Sequence, residues 1–506
     1  MLIRKERDVH KIYLSTPAIL GRTVTFRWRV EPATDLYRQT HFTMTFPHSV
    51  NIAKVPNRLW WDIFLICLHP HWMLLRPCQV HLPLKLSANE RQFWLELLQN
   101  GVDTLEANGR GQNRSQGRAI EILDGDIEIG RQVIAGSGYG TAFSGGKDSL
   151  LQAAMLFEFT ERPLLVTTTS PLPPLSDHGT ARRQYIMDEI QRRRDPVYVE
   201  VQSDFRSIWN NGFAASRGYR PAVNELTDTF LYMSSLLAVG AALGRTRLYL
   251  ASEAEVQESA MLDGKIVQHF HFMYSAATQR ALSALLAPFG IHFGSLIWPL
   301  YSMQVQHLLW TRYPDLCDLQ YSCWRVGLDQ ATCSECEQCL RIAMTALAGG
   351  DNPERMGIDM RKVLAYAPNW KPWGENVSST PVLPEDIAAQ RSDHRVLDAI
   401  RRTTLLQLAK VLASEHWQRA LSRENLQVVA DFRRLRKWAS QYPTPPDLGV
   451  REQFFEWLDP ELRDKLVALY TNYYPREPSH QHIDVFLRSR ALTERATSAL
   501  AARPLQ

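Results

Sequence analysis

Residues 144–149 read Ser-Gly-Gly-Lys-Asp-Ser, between a short apolar run at 139–143 and a helical pattern at 150–157. Strand, glycine turn and helix in that order fix an α/β unit. Its helix N-terminus and free backbone N–H groups converge on an anion. Gly145 and Gly146 can take positive φ and let the backbone approach a phosphate closely. Ser144 and Ser149 supply hydroxyl donors, Lys147 a charge, and Asp148 a carboxylate suited to Mg²⁺. The spacing does not fit a Walker A loop, which needs Gly-x-x-x-x-Gly-Lys-Ser/Thr. A plain glycine turn capped by serines would account for the six residues but not for the strand and helix around them.

Cys323, Cys333, Cys336 and Cys339 form a Cys-x9-Cys-x2-Cys-x2-Cys array. Four soft ligands at such spacings suit tetrahedral Zn²⁺. The chain has 7 cysteines in all, so four between positions 323 and 339 point to one site. Disulfides are the rival reading. The chain opens MLIRKERDVHKIYLS, charged and polar rather than a secretory apolar run, which points to a reducing, cytoplasmic setting. Cys67, Cys78 and Cys317 then read as core thiols. A catalytic Cys-x-x-Cys thiol stays open, although a fourth cysteine favours a closed structural zinc site.

The loop resembles the SGGxDS phosphate loop of the ATP pyrophosphatases, the PP-loop enzymes. Those enzymes cut ATP between the α and β phosphates and leave AMP on a substrate oxygen. Loop and cysteine array together, in this order, resemble the 7-cyano-7-deazaguanine synthase (QueC-like) family over roughly residues 137–350. Supporting segments are Pro221 and Asn224 before an apolar helix at 230–243, a strand at 247–251, and an acidic turn with Glu253 and Glu255. Trp298-Pro299-Leu300 before a helix and Ser322-Cys323-Trp324 fit as well. There are departures. SPLPPLSDHGTARRQ replaces the family's Tyr-Gly-Gln-Arg-His run, leaving His178, Arg182 and Arg183 to serve there. Gln304 stands where a lysine usually does, and Arg341 follows the last cysteine unusually closely.

The resemblance implies a doubly wound parallel sheet of PP-loop type closed by a zinc knuckle. Ser144, Gly145, Gly146, Lys147, Asp148, Ser149 and Thr167 would bind ATP. Lys147, Asp148 and Ser149 would act in catalysis with Mg²⁺, and the four cysteines would hold Zn²⁺. A carboxylate is a poor acyl donor. Its attack on the α-phosphate makes an acyl-adenylate, expels pyrophosphate, and readies the acyl carbon for an amine. In the resembled family the acid is 7-carboxy-7-deazaguanine and the amine is ammonia.

Residues 1–136 and 351–506 add sequence on both sides of that region. This resembles the extended branch found in bacterial anti-phage operons of the Qat and type IV CBASS kinds. There the activated deazaguanine is joined to the N-terminal amine of a partner protein. The expectation is therefore an AMP- and pyrophosphate-forming C–N ligase with a protein acceptor, and a homodimer is compatible with it. Three alternatives remain: nitrile synthesis from ammonia, tRNA thiolation with Cys-x-x-Cys as sulfur carrier, and a non-catalytic nucleotide-binding scaffold.

Composition sets limits. With 506 residues, 45% hydrophobic and 22% charged, the chain reads as a soluble protein of several domains. A net charge of +4 gives no nucleic-acid footprint, and the apolar run at 230–243 is too short to span a membrane. The expected divisions are an α+β partner-binding module (1–108), a linker and lead-in (109–136), the PP-loop domain (137–350) and a mainly helical region (351–506). GRGQNRSQGR at 109–118 marks the linker. In the first module, alternation at 23–30 predicts a half-buried strand with a hairpin partner at 41–46. A helix is expected at 57–67, with Trp60, Trp61 and Trp72 in the core. A strand at 79–86 precedes a helix at 87–107, capped by Ser87 or Asn89 with Glu90 in its first turn.

Residues 353–384 read as irregular and those from 385 as helical, with Trp417, Phe432, Trp438, Phe454, Phe455 and Trp457 as core. The basic run 433–437 reads as a solvated face. Arg192, Arg193 and Arg194 suit a helix C-terminus. His269 and His271 are either site residues or buried ones.

Overall fold

The computed structural model describes residues 9–107, 120–170, 177–366, 410–421 and 449–477, with short breaks at 211, 214–222, 255–258, 263–264, 269–271, 324–325, 327–331 and 412. Residues 109–118, Glu255, His269, His271, Trp324, Phe432, Trp438 and the 433–437 run lie outside them.

Alternating side chains set the N-terminal strands: β1 (His10–Leu14), β2 (Ala18–Leu20), β3 (Thr23–Glu31) and β4 (His41–Thr45). On β3, Val24, Phe26 and Trp28 are buried while Arg27 and Arg29 face solvent, as the period of two requires. β3 pairs antiparallel with β4, Phe26 opposite Phe42. Helix α1 (Asn57–Leu74) is buried from Arg58 onward, Trp60, Trp61 and Trp72 included. It runs past the expected end at 67 and through Pro70. Packing on every side outweighs the roughly 3 kcal/mol that an interior proline costs. β5 (Cys78–Leu84) follows, then α2 (Ala88–Ala107). Ser87 is the cap: its Oγ accepts the Glu90 N–H at 3.3 Å, and the Glu90 carboxylate accepts the Ser87 N–H at 2.7 Å. β6 (Ile120–Ile127), a strand inside the stretch read as lead-in, pairs parallel with β5.

The second half of the sheet is parallel. β7 (Gly138–Ala142), β8 (Leu164–Thr169) and β9 (Val197–Ser203) lie side by side. The chain then crosses to the other edge of β7 to lay down β10 (Arg245–Tyr249). A hairpin of β11 (Ser259–Leu262) and β12 (Lys265–Gln268) precedes β13 (His292–Gly294), which lies beyond β10. Strand order therefore reverses between β7 and β10, which makes this half doubly wound.

Both halves belong to one 11-stranded sheet, ordered β13-β10-β7-β8-β9-β4-β3-β1-β5-β6 with β2 beside β3. The join is antiparallel pairing of Met44 with Ser203 and Thr45 with Gln202. One face carries α1, α5 (Val223–Ala242) and α6 (Ala276–Leu286) over a single apolar core. The other carries α3 (Lys147–Phe159), α4 (Asp177–Arg194), α7 (Ser302–Arg312) and α8 (Glu337–Ala348).

Among the described residues of the C-terminal region, helices alternate with 3₁₀ segments and a short strand pair. Residues 353–384 begin with a 3₁₀ turn at Pro353–Met356 and a helix, α9 (Met360–Tyr366). Beyond α10 (Glu415–Leu421), β14 (Val450–Arg451) pairs parallel with β15 (Arg476–Glu477) around a 3₁₀ segment and α11 (Arg463–Tyr473). Trp417, Phe454 and Trp457 are buried and Phe455 is half-buried. Buried Asp459 fixes this segment to the parallel strands, accepting from Arg247 Nη1 at 2.9 Å and Tyr249 OH at 2.6 Å. Arg192, Arg193 and Arg194 bond carboxylates rather than helix carbonyls, Arg193 reaching Glu189 at 2.9 Å and Asp318 at 2.8 Å.

Candidate functional site

Residues 143–149 leave the carboxyl end of β7 at the point where strand order reverses, the place where open α/β sheets form a crevice. Gly145 holds φ +80°, a left-handed value that favours glycine, and a side chain there would press on Ile186 Cδ1 at 3.3 Å. Gly146 does not use the same freedom: at φ −70° it is the N-cap of α3. Ser149 Oγ donates to Gly146 O at 3.1 Å, accepts the Ser144 N–H at 3.2 Å, and meets Ser144 Oγ at 3.1 Å. Thr167 Oγ1 likewise donates to Phe143 O at 2.8 Å. Both hydroxyls brace the loop backbone.

Lys147 turns toward carboxylates. Its Nζ donates to Asp148 and, at 2.7 Å, to Glu253 from the segment after β10. Burial lowers the ammonium's pKa, but the two neighbouring carboxylates outweigh it and hold the pKa above its ordinary value.

A cavity of about 300 Å³ opens above these residues. That is the lower end of ligand-pocket size. Ser144, Gly146, Asp148, Ser149 and Thr167 line it, whereas Gly145 and Lys147 do not. Glu253 from the expected acidic turn and Arg183 from the loosely matched segment line it too. Arg182 is buried elsewhere, and the His178 side chain lies outside the described residues. Gln304 is buried as a cap, its Oε1 accepting the Tyr301 N–H at 2.8 Å, and Arg341 is exposed.

Sequence reasoning missed Arg206, Tyr232 and Tyr274 in the lining. Arg206, on the 3₁₀ turn after β9, pairs with Asp228 at 2.9 Å and donates to Tyr232 OH; both partners lie on α5. The one available signal was the spacing of Asp228 and Tyr232, four residues apart and so on one face of α5.

The four cysteines come together. Their Sγ atoms all lie within 4.8 Å of one another, 3.4 Å between Cys336 and Cys339 and 3.8 Å between Cys333 and Cys339. Tetrahedral Zn–S bonds of about 2.3 Å put sulfurs about 3.8 Å apart, so the residues fit the ion. Backbone N–H groups already point at sulfur, Glu335 N–H to Cys333 Sγ at 3.5 Å and Cys339 N–H to Cys336 Sγ at 3.4 Å. Ser334, at φ +57°, makes the turn between knuckle cysteines. The Cys323 sulfur beside Cys336 pushes its thiol up to about 11. Four thiolates this close need a cation between them. Cys67 and Cys78 are buried core thiols, each pushed up to about 12 by burial, and all 7 cysteines are free.

Loop and knuckle touch. The Tyr321 N–H, two residues before Cys323, donates to Gly145 O at 2.8 Å. Among the described residues no helix is long and apolar enough to cross a membrane. Comparison with protein-family models, curated proteins and solved structures finds no match.

Proposed function

We propose that this chain is an ATP-dependent C–N ligase of the PP-loop kind. It activates 7-carboxy-7-deazaguanine as its adenylate and passes the acyl group to an amine, the N-terminal amine of a partner protein in anti-phage defence. The observation that carries this reading is the 144–149 loop at the switch point, with Glu253 beside it in a cavity lined also by Asp148 and Ser144.

The loop suits a pyrophosphate leaving group. N–H groups at the start of α3 and the Ser144 hydroxyl offer donors to it, and a helix N-terminus favours the charge. Asp148, with Glu253 beside it, would hold Mg²⁺, which when bound supplies charge neutralisation on the departing oxygens. A triphosphate in the loop would compete with both carboxylates for Lys147, leaving Asp148 and Glu253 as the residues that would hold the ion. The acid's oxygen forms its bond to the α-phosphorus as the bond to the bridging oxygen breaks, the electron pair leaving on pyrophosphate. An amine attacks only when neutral. An α-amine of pKa about 8 is better supplied with that form at pH 7 than a lysine of about 10.4.

The cysteine cluster supports a structural role over sulfur transfer: all four sulfurs converge on one point, and Cys323 and Cys339 are wholly buried. Zn²⁺ there would hold the segment whose Tyr321 N–H braces Gly145. Incubation with ATP, the acid and proteins encoded beside this gene tests the acceptor. Mass spectrometry should find one partner heavier by one deazaguanine acyl group at its first residue. Free nitrile formed from ammonia at full rate, with every protein unlabelled, would leave an ordinary synthase.

A further inference from the structure

The cavity is polarised. On the β10 side, Asp148 and Glu253 bracket Lys147, two carboxylates to one ammonium. On the side of α4 and the turn after β9 stand two guanidiniums, Arg183 and Arg206. Arg206 is braced by Asp228 and Tyr232, so its charge is met and its plane is fixed. Arg183 is half-buried and has no carboxylate partner among the described residues. A cation held partly out of water and left unpaired is costly unless a ligand anion completes it. Tyr232 and Tyr274 border the same wall and offer apolar ring surface.

We propose that this wall is the acid subsite: Arg183 takes the carboxylate of a planar aromatic acid whose ring lies along Tyr232 and Tyr274, and so presents that carboxylate to the loop opposite. The assignment rests on the ligase reading but goes beyond it, since the phosphate loop neither requires Arg183 nor says where the acid sits. The division of labour follows from charge. A metal–triphosphate belongs on the carboxylate side, and a lone carboxylate belongs on the guanidinium side. A planar guanidinium pairs a carboxylate through two N–H donors, which fixes its orientation as well as its position.

Calorimetry with the full-length protein tests this, using 7-carboxy-7-deazaguanine, its neutral primary carboxamide, and a non-hydrolysable ATP analogue as separate probes. Arg183→Ala should weaken the acid roughly tenfold or more, as loss of a charge-assisted hydrogen bond does, and shift carboxamide and ATP-analogue affinities less than about twofold. Arg183→Lys, which keeps the charge but not the fork, should recover part of the acid affinity. Equal weakening of acid and carboxamide, or a loss confined to the ATP analogue, overturns the assignment of Arg183 while leaving ATP-dependent activation standing. Wild-type protein that binds the ATP analogue but neither deazaguanine probe overturns both.

Discussion

Ser149 and Asp148 are neighbours with different jobs, and their substitutions should separate. The Ser149 hydroxyl joins three groups that close the turn. Ser149→Ala should therefore loosen the loop and weaken ATP-analogue binding with or without Mg²⁺. Asp148→Asn should weaken only the Mg²⁺-dependent part, with turnover down about 10²-fold or more. Titrations with metal and with chelator distinguish the two, and identical behaviour would deny Asp148 its metal role.

A second residue-scale expectation concerns buried charge far from the site. Glu90 bonds Arg58 at 2.7 Å and pairs with Arg131, with Asp62 alongside. Burial alone would raise its pKa, yet the two guanidiniums win and hold it down to about 2. A depressed folded pKa means stability that is present above the unfolded value of about 4.3 and lost as pH falls toward about 2. Breaking such a buried pair costs about 3–5 kcal/mol. Glu90→Gln should therefore lower the melting temperature at pH 7, with the gap to wild type narrowing between about pH 4 and 2. A gap that stays constant with pH would remove the carboxylate from the account.

At the scale of elements, the knuckle and the loop form one unit, because Tyr321 bonds Gly145 and Cys323 follows two residues later. One zinc per chain is expected by elemental analysis. Cys323→Ser should lower both zinc content and ATP-analogue affinity, whereas a zinc-free preparation that binds the analogue normally would uncouple the two. How far the elements could be read in sequence depends on where their information lies. Periodicity at 23–30 and the Ser87–Glu90 box are local, and the strand and cap stand where expected. The length of α1 was not readable, since the contacts that carry it through Pro70 come from elements distant in sequence. The parallel pair at 450–451 and 476–477 was hidden because two residues on each side are too few to show a period. Loop and cysteines were readable because their chemistry is contiguous. Arg206, Tyr232 and Tyr274 come from three separate segments and converge only in the fold.

Across the whole molecule, sheet continuity is the governing fact. Residues 9–107 supply strands hydrogen-bonded to β9 and the helix α1 packed on α5, so they share a core with the parallel half. Protein lacking them would expose the β9 edge and a large apolar face, both aggregation hazards. It should be insoluble or fail to melt cooperatively. A soluble, cooperatively folding fragment beginning near residue 120 would contradict the shared core.

If the 144–149 loop cradles a leaving pyrophosphate, ATP is cut between its α and β phosphates. Chromatography of the nucleotides formed from ATP with 7-carboxy-7-deazaguanine present tests it most directly. AMP and pyrophosphate should form in equal amounts, dependent on the acid and abolished in Asp148→Ala. ADP and inorganic phosphate as the main products would contradict it.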